Sequence, residues 1–78
     1  MTKIRTEKTE KAFRMGILAF ESGMKCIPAH DKELMEIATI KGIPFVEVIA
    51  DKKYDFILKE NLAAITAWTQ GWTMANTR

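Results

Sequence analysis

Ala12-Phe13-Arg14-Met15-Gly16-Ile17-Leu18-Ala19-Phe20-Glu21-Ser22-Gly23 carries two stripes at helical spacing, and the fold follows from reading them together. Phe13, Ile17 and Phe20, continued by Met24, recur at the three- and four-residue steps that put side chains on one helix face. Ala12, Gly16, Ala19 and Gly23 repeat those steps one face over. A glycine inside a helix costs about 0.5–1 kcal/mol relative to alanine, so two on one narrow stripe imply that another backbone or an aromatic ring fills the groove they leave. Gly23 also reads as the C-terminal cap of this helix, which the pattern places over residues 6–24.

A candidate to fill the groove lies near the other end of the chain. Residues 55–75 form the longest helical pattern, with Asp55 as a plausible N-cap and Leu58, Leu62, Ile65, Trp68 and Trp72 on one broad face, Gly71 just beside it. The two tryptophans are one turn apart, and rings of that size suit the notch left by Gly16 and Gly23. This pairs the first and last helices in a compact hairpin-like scaffold. The expected core is Phe13, Ile17, Phe20, Leu34, Ile37, Leu58, Leu62, Ile65, Trp68 and Trp72.

Between these helices the pattern breaks at Lys25-Cys26-Ile27-Pro28, because the residue before a proline is pushed out of the helical region. A short second helix is expected over 31–41, with Leu34, Ile37 and Ala38 on one face and Gly42 at its end. Ile43-Pro44-Phe45-Val46-Glu47-Val48-Ile49-Ala50 stays open: its β-branched residues favour a strand, while Gly42 and Pro44 suit the first turn of a helix. A lone strand needs a partner, which tilts the reading toward helix or irregular apolar chain. Asp51-Lys52-Lys53-Tyr54 reads as a polar turn. The expected fold class is therefore mainly α, one small helical domain over 1–78, with residues 1–10 a partly frayed basic start and residues 76–78 fraying at the other end.

Composition agrees with that class. At 78 residues, with 47% hydrophobic and 28% charged side chains, the chain is too apolar for disorder and hides only roughly 60% of its unfolded surface on folding. No stretch reaches the roughly 20 apolar residues of a membrane span. The polar, charged start of the chain does not read as a secretory leader, so a cytoplasmic location is expected. A single cysteine cannot form an internal disulfide, and one cysteine with one histidine cannot supply four zinc ligands. No metal or cofactor is expected. His30-Asp31 near Cys26 is the one cluster that suggests a nucleophile, but nothing supplies an orienting group or an anion hole. Scattered carboxylates and the absence of a glycine-rich phosphate loop complete a non-enzymatic reading.

The net charge of +2 is unevenly placed. Residues 1–25 hold Lys3, Arg5, Lys8, Lys11, Arg14 and Lys25 against Glu7, Glu10 and Glu21, a net +3; residues 31–60 hold seven acids against five lysines, a net −2. The basic start can attract phosphate, or can simply be a solvated helix surface.

Ala12-x-x-x-Gly16-x-x-Ala19-x-x-x-Gly23, then Cys26 and Pro28, and finally Trp68-x-x-Gly71-Trp72-x-x-Ala75 resemble the two motif blocks of ribosome modulation factor and its small bacterial and phage-borne relatives. The resemblance makes Gly16, Gly23, Trp68, Gly71 and Trp72 scaffold positions. It implies a two-helix packing, binding to the small ribosomal subunit through basic side chains on ribosomal RNA, and translational silencing by ribosome pairing. The family's adjacent Cys-Pro is here Cys26-Ile27-Pro28, and its short connection is replaced by the acidic stretch 31–60.

Two functions follow. In the first, a small modulator binds the ribosome or structured RNA through Lys3, Arg5, Lys8, Lys11 and Arg14. In the second, a protein-binding inhibitor or adaptor, of the kind a phage encodes, uses Ile43, Phe45, Val46, Val48 and Ile49 as its interface with a protein partner or as a homodimer seam, without nucleic acid.

Overall fold

The computed structural model describes residues 5–40 and 42–77. Four α-helices carry the described residues: α1 (Glu7–Glu21), α2 (Lys32–Ile37), α3 (Phe45–Ala50) and α4 (Asp55–Asn76), with 3-10 turns at Pro28–His30 and Lys52–Tyr54. No strand occurs among them, so the open segment 43–50 is helical from Phe45 onward.

α1 starts at a capping box. The Thr6 hydroxyl accepts from the Thr9 amide and the Thr9 hydroxyl accepts from the Thr6 amide, which satisfies two of the amides a helix start leaves without partners. It ends in a Schellman turn: Met24 N–H donates to the Ala19 carbonyl, Gly23 N–H donates to that of Phe20, and Gly23 takes φ +84°. Gly23 is therefore the cap, with open space around it, and not part of the notch. Gly23→Ala is expected to lower the unfolding free energy by about 1–2 kcal/mol through the left-handed backbone alone, leaving tryptophan emission unchanged.

The first and last helices pack together along their length. They run parallel, not as a hairpin: Lys8 meets Glu60 and Asn61 at one end, Gly16 lies against Trp68 and Trp72 in the middle, and Phe20 and Met24 meet Trp72 beyond it. The return path from the end of α1 to the start of α4 is the chain over 22–54. On the way, α2 packs against both long helices and delivers Leu34 to the core beside Ala12, Met15, Ala19, Ala64 and Trp68.

The helix contact is closer than the sequence suggested. A Cβ built on Gly16 would overlap the Trp68 carbonyl, and one built on Gly71 would overlap the Phe13 carbonyl, so each glycine receives the other helix's backbone. The indoles do not fill that channel. Trp68 is fully buried beside it, with its N–H on the Asp31 carboxylate at 2.8 Å, and Trp72 donates to the Met24 carbonyl at 2.8 Å while meeting Phe20 edge-to-face. Backbone-to-backbone approach moves the expected core. Leu34 and Trp68 are buried as expected, but Phe13, Ile17, Phe20, Ile37, Leu58, Ile65 and Trp72 are only half-buried flanks, and Leu62 faces water at 65% exposure.

α2 is shorter than the pattern implied. Asp31 caps it through the Leu34 amide, and it closes at Ala38, well before Gly42. Asp55 is the first residue of α4 and not its cap, which is Tyr54 without a side-chain bond.

Candidate functional site

Two surfaces carry the residues the sequence singled out. The first is the start and outer face of α1. Arg5, Lys11 and Arg14 are exposed, and among the described residues none of them forms an ion pair. Lys3 lies outside the described residues. Lys8 is withdrawn from this surface: its ammonium reaches Asn61 Oδ1 at 2.9 Å and Glu60 Oε1 at 3.3 Å, joining α1 to α4. The Thr6 hydroxyl, together with Lys8, holds the Glu60 carboxyl below its ordinary value, against the opposing effect of burial. Asn61 is buried, so Lys8 also satisfies a polar group that would otherwise be stranded. Lys8 is thus a structural cation rather than a free contact.

Glu7, Glu10 and Glu21 share the exposed face of α1 with Lys11 and Arg14. The face is electrostatically mixed, which limits any phosphate binding to local contacts with the guanidinium and ammonium groups and gives no broad positive field. Leu18 is exposed on the same helix.

The second surface is α3 and the turn after it. Val46 and Ile49, one helical turn apart, are 75% and 59% exposed. Val48 is instead 2% exposed and anchors the helix from its inner side, so it is not an interface residue. Ile43 is half-buried, and the side chain of Phe45 lies outside what is described. α3 packs chiefly on the 3-10 turn at Lys52–Tyr54, which in turn packs on α4, and Phe56 and Ile57 in the first turn of α4 are also exposed. A shallow depression of about 580 Å³ is lined by Glu47, Ala50, Asp51, Lys52, Lys53 and Tyr54. Asp51 receives Lys53 at 3.7 Å, and the same ammonium stands 5.1 Å from the Tyr54 ring centre.

Cys26 and His30 are both exposed, and no cluster of three metal-ligating side chains occurs among the described residues. No helix among them is long and apolar enough to cross a membrane.

Sequence reasoning missed Asp31, whose two carboxylate oxygens serve two elements: Oδ1 caps α2 and Oδ2 takes the Trp68 indole. The signals were present, since an aspartate three residues before a buried leucine suits an N-cap and a buried tryptophan needs an acceptor for its N–H. Asn61 left no such signal, and neither did Thr6 as a partner of Glu60. Those contacts depend on α4 starting beside the start of α1.

No family model, curated protein or solved structure matches this chain.

Proposed function

We propose that the chain is a small non-enzymatic modulator of the ribosome modulation factor kind, binding the ribosome or structured RNA through Arg5, just before α1, and through Lys11 and Arg14 on the outer side of that helix. The observation that supports this reading is where the resembling residues lie. Ala12, Gly16 and Ala19 from one block, and Trp68, Gly71, Trp72 and Ala75 from the other, lie in or beside the close contact between α1 and α4. A motif whose two halves are far apart in sequence and adjacent in space is a scaffold motif, and the scaffold is what the resemblance implies. Contacts with a partner then fall to exposed residues outside it.

The exposed cations set the scale of the effect. Three phosphate contacts give a salt slope of about −2 to −3 between the single-strand and duplex limits, so affinity should fall roughly 20- to 40-fold between about 50 and 200 mM salt. The test is ribosome co-sedimentation across that range with Lys11→Glu/Arg14→Glu, which removes two of the three cations and leaves the Lys8 bridge alone. Loss of co-sedimentation with unchanged helical circular dichroism is the expected result. Full retention excludes this footprint.

A second reading has its own support: exposed Val46 and Ile49 suit a protein interface at α3. It needs no nucleic acid, and α1 plays no part in it.

A further inference from the structure

Lys8 lies among the cations of α1 without being free to act with them. It is one helical turn before Lys11, the spacing that makes two side chains neighbours on a helix surface. Its side chain keeps 27% exposure, so the ammonium is not sealed from water, and beyond Asn61 and Glu60 it meets no further acceptor among the described residues. Those two contacts differ in kind. Asn61 is the buried group, and its amide oxygen needs a donor but no charge. Glu60 sets a carboxylate 3.3 Å from the ammonium, and the Thr6 hydroxyl, with Lys8, keeps that carboxyl ionised at neutral pH.

An ammonium already paired at that distance attracts little further negative charge, because an incoming phosphate meets the carboxylate's repulsion along with the cation's pull. A mobile counterion would leave when RNA arrives. This carboxylate cannot, since it belongs to α4, which is packed along α1. We propose that Glu60 is an autoinhibitory contact: its carboxylate occupies Lys8 where an RNA phosphate would otherwise bind, so the α1 surface engages phosphate through Arg5, Lys11 and Arg14 and not through Lys8. The mask rests on the RNA-binding reading and adds the regulation of that surface; the other three cations bind with or without it.

Glu60→Gln removes the charge and keeps an acceptor for Lys8 and Thr6, so helical circular dichroism should be unchanged. In co-sedimentation with purified ribosomes, this variant should bind about 5- to 10-fold more tightly than wild type at about 50 mM salt, with a salt slope steeper by about 0.7–0.9, the signature of one more phosphate contact. A purely structural bridge would not move that slope. Lys8→Gln/Glu60→Gln keeps a donor for Asn61 but has no cation to unmask, so it should return to the wild-type affinity and slope. A Glu60→Gln variant with the wild-type slope, or a gain that survives in the double variant, overturns the mask. If wild type binds and loses binding in Lys11→Glu/Arg14→Glu while Glu60→Gln changes nothing, the mask falls and the RNA footprint stands. If neither wild type nor Glu60→Gln co-sediments, both fall. A readout that needs no variant is acylation of the wild-type lysines with and without ribosomes. Bound ribosomes should protect Lys11 and leave the reactivity of Lys8 as it is in the free chain; equal protection of the two also overturns the mask.

Discussion

Gly16→Ala is expected to lower the unfolding free energy by about 2–3 kcal/mol, the upper part of the range for overfilling a packed site. The sign decides the matter. At an ordinary helix position, glycine to alanine gains about 1 kcal/mol of propensity, so a surface glycine in α1 would give the opposite result. Here the added methyl meets the carbonyl of Trp68 and lies close to the Trp72 amide, both part of the α4 backbone, which cannot rotate away as a side chain can. The helices must separate, and separation strips contacts from Ala12, Ala19, Ala64 and Ala75 along the same seam. Gly71→Ala should cost a similar amount, because its methyl meets the Phe13 carbonyl from the other side. The two changes share one contact, so the double variant should lose less than the sum of the singles. For 78 residues the whole stability is about 4–12 kcal/mol, and either change takes a large share of it. Urea melts followed by circular dichroism and tryptophan emission read all three variants. Stabilisation by either alanine would mean that the backbones do not touch.

The pairing of the first and last helices was legible because small residues at i, i+4, i+7 and i+11 weaken a helix unless a neighbour packs closely against them. The content of the groove was not. Pattern reading turns the bulkiest apolar stripe inward, and for α1 that is Phe13, Ile17 and Phe20. When two helices approach to backbone contact, however, the seam has no room for bulky side chains, so alanine and glycine occupy it and large residues lie beside it, Trp68 fully buried and Phe13, Ile17 and Phe20 half-buried. The same displacement on α4 puts Ala64, Gly71 and Ala75 inward with Trp68 and leaves Leu62 outside.

Direction was readable in principle from the length of the connection. Antiparallel neighbours need only about 2–8 residues between them, whereas the chain over 22–54 is long enough to travel back along α1. The acidic stretch that looked like an insertion supplies much of this return path. At the candidate surfaces, exposure could be resolved only after the fold was known. Lys8 looked like its basic neighbours until parallel packing brought Glu60 and Asn61 beside it, and Val46 and Val48 separated into outside and inside only once 45–50 was helical.

Asp31→Ala should destabilise the protein by about 2–4 kcal/mol, combining roughly 1 kcal/mol for a lost N-cap with about 1–3 kcal/mol for a buried indole N–H left without its acceptor. Trp68 has no exposure, so its donor cannot turn to bulk water when the carboxylate goes. Asp31→Asn separates the two roles. Asparagine offers one acceptor oxygen where aspartate offers two, so it can keep the cap on Leu34 or the bond to Trp68, but not both in the present geometry. Its loss should fall between wild type and alanine. Trp68→Phe removes the donor and also leaves a smaller ring, so by itself it mixes packing with hydrogen bonding. The informative quantity is the coupling in the Asp31→Ala, Trp68→Phe cycle, where the alanine should cost about 1–2 kcal/mol less once no indole N–H remains to be stranded. Amide exchange locates the same effect, with α2 opening in Asp31→Ala ahead of the α1–α4 seam, because the carboxylate joins that short helix to the core. An alanine variant within about 0.5 kcal/mol of wild type, or a cycle with zero coupling, would leave the position of α2 to Leu34 packing alone.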